Sequence, residues 1–210
     1  VIFMSDNGGL SAEGRAGTPH THNRPLSSGK GSAHEGGIRE PLVVGWPGVA
    51  RAHSTETTPV IIEDFFPTLL AMAGVERPKV VQHVDGISFV PLLQGRRGQA
   101  PRDRALFWHF PNNWGPKGPG IGASSSVRRG DWKLIYYHAD RSFELFNLAD
   151  DIGETRSLAT REPARVRALA ALLTTYLKSV DAQMPTDKRT GRQVEWPAEA
   201  ADRAAIALLS

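Results

Sequence analysis

Val1-Ile2-Phe3-Met4-Ser5-Asp6-Asn7-Gly8-Gly9 is the stretch that decides the fold class. Four apolar residues in a row read as a buried strand, and Ser-Asp-Asn-Gly-Gly stops it. A strand buried on both faces belongs to an α/β sheet and needs neighbours on both sides. Nothing precedes it in the sequence, so the chain is expected to be a fragment whose N-terminal partner is missing. The absence of a signal peptide then carries no information. Leu42-Val43-Val44-Gly45-Trp46 is a second buried-strand candidate, stopped by Pro47-Gly48. Between the two, residues 10–33 form a long polar segment without period, a length that inside a domain points to function or disorder.

Working outward, Glu63 to Ala73 reads as a helix with Asp64 near its start, Pro67 in its first turn and Gly74 at its end. A short helix or turn is expected over Ser88 to Leu93. Residues 95–103 are polar and basic and mark a boundary. Beyond it strands dominate: Ala105–Phe110, Ser124–Arg129, Trp132–Tyr137 and Phe143–Phe146. Gly130-Asp131 between the second and third favours an antiparallel hairpin. Val166, Leu169, Leu172, Leu173, Tyr176, Leu177 and Val180 recur at helical spacing, with Thr160 as N-cap candidate and Pro163 in the first turn. This helix is expected to cover one face of the small sheet. Residues 186–210 read as a peripheral tail with a helix over 198–209. The expected division is 1–95, 96–185 and 186–210.

Composition excludes several function classes. The 210 residues are 40% apolar and 22% charged, ordinary for a globular protein. The net charge is +3 and no basic run reaches five residues, so a nucleic-acid partner has no electrostatic footprint. There is no cysteine, which excludes disulfides, thiolate zinc sites and a cysteine nucleophile in this chain. No apolar stretch approaches the roughly 20 residues needed for a membrane span. Gly (21) and Pro (15) are abundant, as in a loop-rich fold.

Several residues have the chemistry of a site. Asp6 and Asn7, at the C-terminal end of a strand, offer oxygen ligands suited to a hard cation such as Ca²⁺. The plain alternative is an Asx-turn that ends the strand. Ser28-Gly29-Lys30-Gly31-Ser32 is not a phosphate loop, because Arg24 and Gly31 stand where that pattern needs Gly and Ser or Thr. What remains is a lysine between two glycines: a point charge for an anion on a backbone that permits close approach. His34-Glu35-Gly36-Gly37-Ile38 lacks the second histidine of a zinc helix, and its glycines oppose a helix. Glu35 and Arg39 are spaced to pair with the scaffold. His20 and His22 could chelate a metal, but a polar loop is the favoured reading. His109 lies in an aromatic cluster, Phe107 to Trp114, that suits either a sugar ring or a packed strand and turn. Lys133 and Arg128 read as exposed strand positions.

In order along the chain, several segments resemble the type I sulfatases. They are Val1 to Gly8, Gly29-Lys30-Gly31, Glu35-Gly36-Gly37-Ile38-Arg39-Glu40-Pro41, Trp46-Pro47-Gly48, Asp64 to Leu70 with Ala73-Gly74, and Asp85-Gly86-Ile87-Ser88. Arg128 to Leu134, Glu144 to Leu148, and Ala182-Gln183-Met184-Pro185 continue the series, which covers about residues 1–185. The resemblance implies an α/β fold: the C-terminal part of an alkaline-phosphatase-like sandwich, plus a small antiparallel sheet subdomain with a packed helix. It implies hydrolysis of sulfate esters, with Asp6 and Asn7 as Ca²⁺ ligands and Lys30 as the sulfate-binding, catalytic lysine. A formylglycine, made from Cys or Ser, forms the attacking hydrate in that family.

The family's nucleophile motif, its first aspartate pair and its Gly-Lys-Trp-His-type segment are absent here; all of them normally lie upstream. The chain is therefore expected to be inactive alone and to bind Ca²⁺ weakly, with at most two of about six to eight oxygen ligands. Its expected partners are a carbohydrate or small-molecule sulfate ester, with His109 on the substrate side, and the missing N-terminal half. Periplasmic or secreted placement is what the family implies. The competing readings are a phosphoester or phosphonate hydrolase of the same superfamily, and a non-catalytic sugar-binding or scaffold relic.

Overall fold

The computed structural model describes residues 1–10, 23–75, 78–96, 103–113, 115 and 117–207. The expectations for His20, His22 and Trp114, and for the end of the last helix, fall outside these residues. In chain order the elements are β1 (Ile2–Met4), α1 (Glu35–Ile38), β2 (Leu42–Val44), a 3-10 turn (Ile62–Asp64) that leads into α2 (Phe65–Met72), and α3 (Val90–Leu93). They continue with β3 (Ala105–Phe110), β4 (Ser124–Arg129), β5 (Trp132–Tyr137), β6 (Phe143–Asn147), α4 (Pro163–Ser179) and α5 (Pro197–Ala207). Among the described residues, no helix is long and apolar enough to cross a membrane.

The chain divides into two compact units. One comprises Val1–Met4 and Leu42–Arg104; the other comprises Ser5–Pro41 and Ala105–Ser210. The transition thus falls at 104/105 rather than at 95/96, and residues 5–41 belong with the later strands instead of with the first ninety-five.

In the first unit β1 and β2 pair antiparallel, with Ile2 opposite Val44 and Met4 opposite Leu42. Both were expected as buried strands. They alternate instead, and the directly paired Phe3 and Val43 are exposed at 67% and 61%. Helix α2 is organised by buried Asp64. Its carboxylate accepts from the Ile61 and Ile87 amides and takes both arms of the Arg104 guanidinium at 2.8 and 2.7 Å. Thr68, one turn on, donates to Asp64 O and accepts from Phe89 N. Asp64 was read from sequence only as a residue near the helix start.

The second unit is an antiparallel meander, β3-β4-β5-β6. Register places Val127 opposite Leu134, and Leu134 opposite Leu145. These three, with Tyr136, form one core with Val166, Leu169, Ala170, Leu173 and Leu177 of α4. Phe107 stacks on Tyr176 at 3.9 Å between ring centres. The helix begins at Pro163, with Glu162 rather than Thr160 at the N-cap position. The segment expected as a tail is part of this core: Val194, Ala200 and Ala201 are buried in it. Strand alternation sends Lys133, Ile135 and Tyr137 to the other face of the sheet. There Ile135, Phe146 and Leu148 form a second, smaller cluster against Ala33, Tyr137 and Ile152. That second face receives the segment that carries Lys30.

Candidate functional site

The candidate residues stand on a block of interlocked backbone. Just after β1, Ser5 Oγ donates to Asn7 O at 2.8 Å, and the Asn7 amide donates to Asp6 Oδ1. Gly8 N donates to Gly37 O at 3.1 Å. A Cβ at Gly8 would lie 1.8 Å from Gly36 O, and one at Gly36 would lie 2.2 Å from Ser27 O. Side chains at these two places would push the block apart, so the glycines are required by close approach of main chain to main chain. One turn of helix, α1, forms over Glu35-Gly36-Gly37-Ile38 despite its glycines. Packing, not helix propensity, holds it.

Gly9 O is the hinge pin of the arrangement. It accepts from Lys30 N at 3.0 Å and from Asn23 Nδ2 at 2.8 Å. Asn23 Nδ2 also reaches Ser28 O at 2.9 Å. Asp6, Asn7 and Lys30 therefore share one rigid backbone patch. Lys30 is half-buried, and among the described residues no side chain bonds its ammonium. A cation on a tight backbone turn with no carboxylate of its own is arranged to receive an anion.

The acidic side of the patch carries oxygen donors of the kind a hard cation takes. Asp6 is exposed and offers a carboxylate, and Asn7 an amide oxygen. Nearby, Glu40 Oε1 is shielded from solvent and has no hydrogen-bond partner. Burial, and then the negative charge of Asp6, push the Glu40 carboxyl above its usual range. Two carboxyl groups that repel each other beside an amide oxygen fit a hard cation in kind. They do not suffice in number: among the described residues, no three His, Cys, Asp or Glu side chains gather as a metal-binding group.

The block is fastened to the sheet by ionic groups that the sequence did not reveal as such. Lys133 and Arg128 were expected on an exposed surface. Lys133 is instead fully buried, 2.9 Å from Glu35 Oε1 and 2.9 Å from Glu154 Oε1. Arg128 and Arg39 reach Glu35 Oε2 at 3.4 and 3.3 Å. Glu154 Oε2 accepts the Glu35 amide at 2.5 Å. Burial alone would raise the Glu35 carboxyl, but Lys133, Arg128 and Arg39 outweigh it and hold it below the usual range. At Glu154 burial prevails over Lys133, and the carboxyl is raised. One ammonium thus faces two buried carboxyls of unequal acidity. The available signal was register: Lys133 shares a face with Ile135, and that face is covered.

His109 is not brought to this patch. It lies on β3 opposite Ser125, on the face that also carries Phe107 and Val127 toward α4. Its Nε2 donates to Gln183 O at 3.0 Å, and its Nδ1 accepts from Ser125 Oγ at 2.7 Å. Ser125 Oγ accepts in turn from His138 Nε2 at 3.0 Å. Both ring nitrogens of His109 are thus engaged inside the unit.

Comparisons with known proteins agree with this architecture. The family model described as N-sulphoglucosamine sulphohydrolase, C-terminal, matches residues 29–183. A protein named sulfatase from Formosa agariphila is 38% identical over 173 residues, which cover 79% of this chain and 29% of that one. Human N-acetylgalactosamine-6-sulfatase is 35% identical over 132 residues, covering 54% of this chain and 24% of its own length. The solved structure of Ps i-CgsB in complex with k-i-k-neocarrahexaose matches with a TM-score of 0.68 at 25% identity, covering 98% of this chain and 40% of that one. The chain spans less than a third of the length of these two curated relatives. Mixed α/β structure with antiparallel sheets, and neighbours that are sulfatases of the alkaline-phosphatase-like fold, bear out the expected fold class. On the strength of the matched model and these relatives, the chain belongs to the sulfatase family, to the part described as its N-sulphoglucosamine sulphohydrolase C-terminal portion.

Proposed function

We propose that this chain supplies one side of the catalytic centre of a sulfate ester hydrolase whose substrate is a sulfated carbohydrate. The observation that carries the reading is the Gly9 carbonyl joined to Lys30 N, which holds, on the same backbone patch as Asp6 and Asn7, a lysine whose ammonium no side chain bonds among the described residues. Lys30 would hold the anionic sulfuryl oxygens and stabilise the charge that builds on them as the ester bond breaks. Asp6 and Asn7 would supply two ligands to a Ca²⁺ ion, whose chemistry there is that of a Lewis acid on the same oxygens. The remaining ligands and a formylglycine nucleophile would come from residues outside this chain. The lengths of the relatives leave room for them. A carbohydrate substrate is supported by the names of the relatives, which specify N-acetylgalactosamine and a neocarrahexaose.

The test uses the full-length protein. Release of inorganic sulfate from a sulfated sugar is expected, together with a peptide of formylglycine mass. Lys30→Ala should lower kcat/KM by about 100-fold or more, the usual cost of removing one charge-stabilising donor. Turnover of phosphonate esters with no sulfate release, or an unchanged kcat/KM in the lysine variant, would overturn the reading.

A further inference from the structure

The Lys30 turn is clasped at both ends by a single residue that the reaction chemistry does not use. His34 Nδ1 lies 2.9 Å from Ser27 Oγ, just before the turn. The backbone N–H of His34 donates to Ser32 Oγ at 3.0 Å, just after it. Ser32 Oγ continues to Pro119 O at 2.8 Å, and Ala33 N to Gly120 O at 2.9 Å. On its far side, His34 Nε2 lies 2.9 Å from Glu144 Oε2 on β6. The same carboxylate oxygen accepts from the Tyr137 hydroxyl. His34 is 2% exposed, and its ring meets Phe146 edge-on at 5.4 Å. Its Nε2–H faces a carboxylate, so the neutral ring has Nδ1 free to accept from the Ser27 hydroxyl. Ser27, His34, Glu144 and Tyr137 form one chain from the base of the turn to the sheet.

We infer that His34 is a positioning residue for Lys30: through Ser27 and Glu144 it fixes where the turn, and hence the ammonium, stands. The inference rests on the reading of Lys30 as the anion-binding group. A buried histidine that merely fills the core would be satisfied by its own two hydrogen bonds. Here the ring instead ties Ser27, just before the Lys30 turn, to Glu144 on the sheet, while the backbone N–H of the same residue holds Ser32 just after it. Reactions that depend on position lose up to about 100-fold for a displacement near 1 Å, so a clasp of this kind has a large lever.

The experiment is a double-mutant cycle in the full-length enzyme, with inorganic sulfate as competitive inhibitor and a sulfated sugar as substrate. His34→Ala is expected to raise the sulfate inhibition constant and lower kcat/KM, each by about tenfold or more. His34→Gln, which keeps a donor and an acceptor, should recover part of both. In a Lys30→Ala background, His34→Ala should add little, because its effect runs through the lysine. If the effect of His34→Ala on sulfate inhibition is the same with and without Lys30, or if it is absent, the inference fails while the assignment of Lys30 stands. If Lys30→Ala itself leaves turnover and sulfate inhibition untouched, the functional reading beneath it fails instead. Should His34→Ala not fold, Glu144→Gln takes its place, with the same non-additivity expected and additivity again refuting it.

Discussion

The two faces of the β3–β6 sheet are built on opposite principles. The face under α4 is apolar: Val127, Leu134, Leu145 and Leu173 are fully buried in a large apolar cluster. The face that receives the Lys30 segment has a small apolar patch and a large ionic one, with Lys133, Glu35, Glu154 and His34 all at 5% exposure or less. The first face makes the unit cohere. The second fixes one segment in one place, because buried charges tolerate few geometries. A site that must hold an ammonium and a carboxylate in fixed positions is better served by the second.

The largest effect expected from this contrast comes from Lys133. Lys133→Met would leave Glu35 and Glu154 buried without their shared cation. A loss of about 3–5 kcal/mol in urea unfolding follows, the range for removing one partner of a buried pair. Replacing all three together, as Glu35→Gln, Lys133→Met and Glu154→Gln, should recover most of that stability. It should not recover activity in the full-length enzyme. If the triple variant is as unstable as the single, burial of charge is not what makes Lys133 necessary.

On the other face the comparison substitution is Leu173→Ala. Leu173 is 0% exposed in the centre of α4, and its truncation should cost about 2–5 kcal/mol through lost contacts and a residual cavity. The sharper distinction lies in catalysis. At temperatures where both proteins remain folded, Leu173→Ala should leave kcat/KM of the full-length enzyme nearly unchanged, while changes on the ionic face should lower it. Equal catalytic losses from both faces would erase the distinction.

The same contrast governs what was legible beforehand. The strand runs, the Gly130-Asp131 turn and the helical spacing located β3 to β6 and α4 within a residue or two. Asp6, Asn7 and Lys30 were legible as local motifs at turns. The ionic face was not. Lys133 between Trp132 and Leu134 looks like any outward strand position until something is known to cover that side. Its partners Glu35 and Glu154 lie about a hundred residues upstream and some twenty downstream, beyond any local pattern. His34 was read only for a zinc motif that it does not complete. His109 drew attention by its aromatic neighbours, yet Phe107, which shares its face of β3, packs on Tyr176 of α4. The helix over 197–207 was anticipated, but not its burial, since Ala200 and Ala201 are too small to mark an apolar stripe.

The apolar face ends in a polar chain, and this supplies a smaller effect that depends on pH. His138 is 2% exposed, and its Nδ1 has no hydrogen-bond partner. Burial, and then the charge of His109, depress its pKa from 6.5 to about 4. The native chain therefore keeps His138 neutral at pH values where the unfolded chain takes up a proton. Its contribution to stability is complete above about pH 6.5 and declines as the pH falls toward about 4, by roughly 3 kcal/mol at most. Below that the native ring is protonated too, and this group adds no further slope. Urea unfolding across pH 7.5 to 4 should show the decline, and His138→Gln, which cannot take up the proton, should flatten it. Glu35, whose carboxyl is held low, weakens the fold only at pH values below its ordinary 4.5. Glu154 and Glu40, whose carboxyls are raised, take up protons first in the native state and oppose the decline, so a net loss between about 6.5 and 4.5 belongs to the histidine. A slope that survives in His138→Gln over that interval would move the acid sensitivity from the apolar face to the ionic one. The contrast between the faces would then lie in their packing alone.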